Sequence, residues 1–173
     1  MQFDTSALGS PPWPFDDAAR SVRRLHDMPG YFPADAAAVG DPVIYEVFQW
    51  PSHGLPTDLM VTVTVLHPGH VGGAPFHTKG HFHRDPDGEE LVAGIAGSGV
   101  LELFSRAGEH RAVRLSAGTH VSVAPGWAHR VVNPGSEPVL YLSVSSAFIG
   151  HDYEGVREAG WVGPYDGRVA SGA

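Results

Sequence analysis

From residue 43 onward the chain is a succession of short apolar runs, each closed by a cluster of Gly, Pro, Asp or Asn. The runs are VIYEVFQ, LMVTVTVL, ELVAGIA, GVLELF, HRAVRL, THVSVA, HRVV and VLYLSVS. Segments this short are below the length of a stable helix, and their β-branched content suits a pleated surface. The 22 Gly and 15 Pro in 173 residues imply many turns between short elements rather than long helices. Within THVSVA, Val121 and Val123 share one face of a strand and His120 and Ser122 the other, so one face is core and the other is not. Eight strands of this kind predict an all-β barrel or sandwich.

The chain divides into an arm over residues 1–40, a barrel over 41–160 and a tail over 161–173. DDAARSVRRLHD, residues 16–27, reads as a short helix in the arm, opened by acidic side chains. No apolar run reaches the ~18 residues of a bilayer span, and the start has no basic and apolar leader pattern, so a cytoplasmic protein without membrane contact is expected. A formal charge of −8 argues against nucleic acid as a partner. Lys79 is the only lysine, and it lies in the histidine-rich stretch TKGHFH.

With no cysteine, thiolate metal sites and cysteine nucleophiles are excluded, and any metal falls to His, Asp or Glu. His81 and His83 are two apart, so on a strand they project from one face toward one ion. The turn-rich loop RDPDGE lets the chain reverse and return Glu89 or Glu90 across from them. His129 begins a strand after the turn PGWAH and can approach the same barrel mouth. Three imidazoles and a carboxylate suit one divalent ion per chain, Fe2+, Zn2+, Mn2+ or Ni2+. For His26, His53, His67, His70, His77 and His110 surface or structural roles are expected, while the strand of His120 leaves it closer to a cavity.

The pattern His81-x-His83, Glu90, Gly97, then Pro125, His129 and Asn133 resembles the two-part signature of the cupin, or jelly-roll-like, barrel. SVRRLHDMPGYF, DPVIYEVF, TVLHPGHVG, TKGHFH, PGWAHRVVN and GHDYEGVREAGW, in that order, resemble the archaeal-type cupin glucose-6-phosphate isomerases over about residues 21–160. The resemblance implies metal ligands His81, His83, Glu90 and His129, which selects Glu90 over Glu89. It implies phosphate-binding groups at Thr64, Thr78 and Gly80, and His151 and Tyr153 at the sugar end, with Glu90, His151 and Tyr153 as the catalytic set. A phosphorylated sugar as substrate, interconversion of glucose 6-phosphate and fructose 6-phosphate, and a homodimer are implied too.

Three positions depart from the family pattern: Val92 and Ser145 stand where tyrosines are expected, and Ala74 where an acidic residue is. They make an isomerase or epimerase acting on another sugar or carbonyl compound, and an inactive sugar-binding cupin, rival readings; a third is an Fe(II) oxygenase, which three His and a Glu can support.

Overall fold

The computed structural model describes residues 18–33, 40–50, 58–163 and 165. In chain order the strands are β1 (Ala19–Arg24), β2 (Val43–Gln49), β3 (Leu59–Leu66), β4 (His70–Val71), β5 (Ala74–His77), β6 (Phe82–His83) and β7 (Glu90–Ala96). They continue with β8 (Ser98–Ser105), β9 (His110–Ser116), β10 (His120–Val123), β11 (Trp127–Asn133), β12 (Val139–Ser146) and β13 (His151–Asp152), followed by one helix, α1 (Tyr153–Glu158). All eight runs picked out from sequence are strands.

One sheet has the order β1-β2-β3-β12-β7-β10 and the other β4-β5-β11-β8-β9, with β6 and β13 as a separate pair. The pairings are antiparallel throughout. The two sheets pack face to face: Ile44, Leu66, Val92, Val123 and Val139 of the first share one core with Phe76, Leu101, Leu103, Leu115 and Val131 of the second. Leu66, Leu101 and Leu115 are fully buried there, and such side chains each contribute ~1.5–3 kcal/mol. Gly97, at φ 75°, makes the one-residue turn from β7 to β8, a conformation that a side chain resists.

The outer face of the second sheet is covered as well. Phe82, Ala128 and Val156 form a smaller cluster with Phe104, Trp161 and Val162, and Trp161 stacks on Phe104 at 5.3 Å. Beneath this cover lies a buried ion pair between cross-strand partners, Glu102 of β8 and Arg130 of β11, at 2.6 Å.

The helix expected over residues 16–27 is corrected. Residues 19–24 are strand β1, paired with β2 from Ala19↔Gln49 to Arg24↔Val43, and only Leu25–Asp27 turn as a single 3-10 helix; Asp16 and Asp17 lie outside the described residues. Six rungs of ladder, closed by an Arg20–Glu46 ion pair, outweigh the few tenths of a kcal/mol per residue by which propensity favours helix. The true helix, α1, went unread because six residues with an internal Gly155 leave almost no periodic signal. Its start is fixed by the Asp152 carboxylate, which accepts from the Gly155 N–H at 2.9 Å. The tail sequence from Asp166 onward lies outside the described residues.

Candidate metal centre

His83 belongs to β6, with His81 just before it and bridged to His129 of β11; Glu90 opens β7. The sequence brings these four together by simple local means. Phe82 points outward into the smaller apolar cluster, so strand alternation sends His81 and His83 to the other side. The loop between β6 and β7 is closed by Gly88 N–H donating to the Asp85 carbonyl at 3.1 Å, which returns Glu90 opposite the histidines. Glu89 is exposed and Glu90 buried, so only the second carboxylate faces inward. On β11, His129 shares a face with the core residue Val131.

One donor atom from each of His81, His83, Glu90 and His129 lies within 4.8 Å of the others. The Glu90 Oε2 is 3.0 Å from His83 Nε2 and 3.3 Å from His129 Nε2. His83 Nδ1 is 3.1 Å from the Gly88 carbonyl, which accepts its N–H and leaves Nε2 directed at the carboxylate. His81 Nε2 and His129 Nδ1 are buried without a hydrogen-bond partner. Orphaned buried imidazole nitrogens are rare and call for a ligand. Three nitrogens and one carboxylate oxygen at this spread fit a divalent ion bonded at ~2.0–2.2 Å.

The electrostatics agree with this arrangement. Burial opposes ionisation of Glu90, but the surrounding imidazoles, His129 first, outweigh it and hold the carboxyl well below the usual carboxylate range. Burial, then the neighbouring imidazoles His129 and His151, holds His81 well below its ordinary value, leaving a neutral ring with a lone pair free to bind a cation. For His83 burial is outweighed by the Glu90 and Gly88 hydrogen bonds, and its pKa is raised.

The other expected site residues surround this group. The His151 ring is 4.2 Å from His81 and the Tyr153 ring 5.7 Å, because β13 pairs with β6 in the register His151↔His83. Burial holds the His151 pKa below its ordinary value. Thr64 and Thr78 are buried; the Thr78 Oγ1 accepts the Val131 N–H at 3.0 Å, and both threonine hydroxyls also meet the Tyr141 hydroxyl. Gly80 lies flat against Trp161: a Cβ there would come within 2.9 Å of the indole. Val92 is fully buried, Ser145 is buried beside Glu90, and Ala74 belongs to the core. His120 is exposed on β10, away from the group, and His77 is a buried structural residue between the Thr78 and Tyr31 carbonyls.

Two nearby residues, Tyr141 and Trp161, carry no signal in the sequence that places them here. Tyr141 is buried with its hydroxyl against Thr64 and Thr78, and burial pushes its pKa up to about 12. Trp161 packs on Gly80 from what reads as a tail. Lys79, which stands out in the sequence as the only lysine, lies here too: its amine is 6.0 Å from the Tyr153 ring centre, and burial and then Arg23 hold its pKa below the ordinary value. Alternation on β12 marks Tyr141 as inward-facing, but nothing in the sequence alone says what it faces.

Comparison with known proteins supplies the family. Residues 20–165 match the family described as glucose-6-phosphate isomerase (GPI). The chain is 43% identical over 148 residues to the glucose-6-phosphate isomerase of Thermococcus kodakarensis, covering 83% of this chain and 78% of that one. It is 41% identical over 151 residues to that of Thermococcus litoralis, covering 84% and 80%. Among solved structures, an oxalate decarboxylase of Lactobacillus farciminis superposes with a TM-score of 0.51 at 22% identity, over 62% of this chain and 30% of that one, a likeness of fold alone. A match that runs through all four clustered donors and both strands that carry the surrounding groups leaves one assignment: the chain belongs to the glucose-6-phosphate isomerase family.

Proposed function

We propose that the protein is a metal-dependent aldose–ketose isomerase that interconverts glucose 6-phosphate and fructose 6-phosphate. The observation that carries this reading is the group of three imidazoles and one carboxylate, with two buried nitrogens unpartnered, in a chain of this family. His81, His83, Glu90 and His129 would hold one divalent ion, Fe2+, Zn2+, Mn2+ or Ni2+, which when bound supplies Lewis-acid stabilisation of negative charge on the sugar oxygens.

The reaction moves hydrogen between C1 and C2, and the chain's own residues handle the protons. Glu90, anionic at neutral pH, serves as base toward the carbon-bound hydrogen. His151, with its pKa lowered by burial, is an uncharged imidazole at pH 7 and accepts or returns a proton at the sugar oxygens, with Tyr153 beside it. The hydroxyls of Thr78 and Thr64, with Tyr141 beside them, and the backbone at Gly80 hold the phosphate, as hydroxyl and N–H donors do. The absence of a side chain at Gly80 keeps Trp161 in place as a wall.

β1 is the edge of the first sheet among the described residues, with one side of its backbone unpaired. An edge strand open to pairing with a second copy supports the reading of a homodimer, expected in the cytoplasm. Ultracentrifugation at micromolar concentration showing monomer alone would remove that part of the reading. The function itself is tested by supplying fructose 6-phosphate to metal-reconstituted protein and following glucose 6-phosphate against a chelated control. Metal-dependent turnover is expected; a fully metallated protein without turnover would shift the assignment to a different sugar substrate, which Val92 and Ser145 make the next choice.

A further inference from the structure

The inner face of the first sheet is unusual next to Glu90. Three rungs cross β3, β12 and β7: Thr64–Tyr141–Gly94, Thr62–Ser143–Val92 and Met60–Ser145–Glu90. Directly opposed residues on antiparallel strands share a face, and Glu90 and Val92 face inward, so Thr62, Ser143 and Ser145 do too. All three are buried, at 9%, 8% and 4% exposure. Barrel interiors at such positions are normally apolar, and here the chain presents hydroxyls.

These hydroxyls are also poorly satisfied. Among the described residues the Thr62 and Ser143 side chains make no hydrogen bond, yet their oxygens are not among the wholly enclosed unpartnered atoms, which are His81 Nε2 and His129 Nδ1, so they reach open space; Ser145 has only a 3.5 Å approach to the Ser146 carbonyl, at the limit of a real bond. The other buried polar side chains are partnered: Thr64 by Tyr141, Thr78 by Val131, Asn133 by Leu66, Glu137 and Gly135, and Glu102 by Arg130 and His110. The shortage of partners is confined to this strip and to the histidine group beside it. Hydroxyls of buried residues that reach open space without protein partners face a ligand or water.

The strip has a direction. It starts with Ser145 opposite Glu90, passes Ser143 and Thr62, and ends where Tyr141 meets Thr64 and Thr78. Four residues of strand span ~13 Å, enough for an extended sugar phosphate with its reacting carbons at Glu90 and its phosphate at the two threonines. We propose that Thr62, Ser143 and Ser145 are specificity-determining residues whose hydroxyls hold the mid-chain hydroxyl groups of the bound sugar. This rests on the sugar-phosphate reading above and adds what recognises the polyol between its two ends. Ser145 does so in space that a tyrosine would fill.

The test is calorimetric binding of fructose 6-phosphate, and of its 3-deoxy, 4-deoxy and 5-deoxy analogues, to the metal-loaded wild type and to Thr62→Val, Ser143→Ala and Ser145→Ala. Turnover of fructose 6-phosphate is followed in parallel. Each variant should weaken fructose 6-phosphate binding by roughly 5- to 150-fold, the range for one lost hydrogen bond to a buried partner. Each should bind one deoxy analogue as tightly as the wild type does, because the hydroxyl it has lost no longer has a counterpart.

Equal weakening toward all four ligands would make the residues merely structural and overturn the proposal. No weakening at all would mean that the strip holds water only, and would overturn it equally. Hydroxyl-selective binding without turnover would uphold the strip and overturn the isomerase reading; turnover without selectivity would do the reverse.

Discussion

Replacing Arg130 with Met should destabilise the protein far more than an ordinary surface charge deletion. Arg130 Nε meets Glu102 Oε2 at 2.6 Å, with side chains 5% and 2% exposed, so solvent screens the pair little. The other carboxylate oxygen is 3.0 Å from His110 Nε2, Arg130 Nη1 donates to the Gly163 carbonyl at 2.6 Å, and the guanidinium lies 5.1 Å from the Trp161 ring centre. At an effective dielectric of ~20 the Coulomb attraction is of order 4 kcal/mol, and removing one member of a buried pair costs ~3–5 kcal/mol because a charge is left behind. For a chain of this size that is a melting-point drop of roughly 6–20 °C.

Urea unfolding followed by tryptophan fluorescence, in one metal state throughout, measures the effect. The double change Arg130→Met with Glu102→Leu should recover most of the loss, since no uncompensated charge remains. If Arg130→Met costs less than ~1 kcal/mol, or the double variant is no better than the single, the pair is not the clasp described and the reasoning fails. The consequence for the site is direct: Arg130 follows His129 on β11, and Trp161, which it holds, is the wall behind Gly80.

Glu90→Ala and His83→Ala should each lose bound metal, by elemental analysis, together with turnover; a variant that keeps both refutes the ligand set. Gly80→Ala brings a Cβ to 2.9 Å from Trp161, and such overpacking costs ~1–3 kcal/mol; Trp161→Leu in the same chain should restore melting, and failure to do so would put the strain elsewhere. Burial, and next the Arg130 charge, lower the His77 pKa from 6.5 to about 4, so the unfolded chain takes up this proton first as pH falls. The stability lent by neutral His77 is complete above ~6.5 and is lost toward about 4. The loss between pH 7 and pH 5 is about 2 kcal/mol, to be read from urea titrations against His77→Phe, in which this part of the pH dependence should vanish.

Much of this protein was legible in its sequence because the signals are local. Strand alternation with turn punctuation located eight strands and placed Val121 and Val123 inward, and the two-residue spacing of His81 and His83 made them a pair on one face. A motif of fixed order then identified the remaining donors. What stayed hidden depends on partners distant in sequence. The arm residues 19–24 are strand because β2 is there to pair with, which overrides their own preference. Glu90 is distinguished from Glu89 physically by burial, which a loop's closing bond decides. The Glu102–Arg130 clasp, the seat of Trp161 on Gly80 and the hydroxyl strip of Thr62, Ser143 and Ser145 exist only as cross-strand and cross-layer neighbours. The sequence determined which chemical groups are present and which strand face each occupies; the register between strands far apart in the chain decided which groups meet, because contact across a sheet depends on pairing and not on separation along the chain.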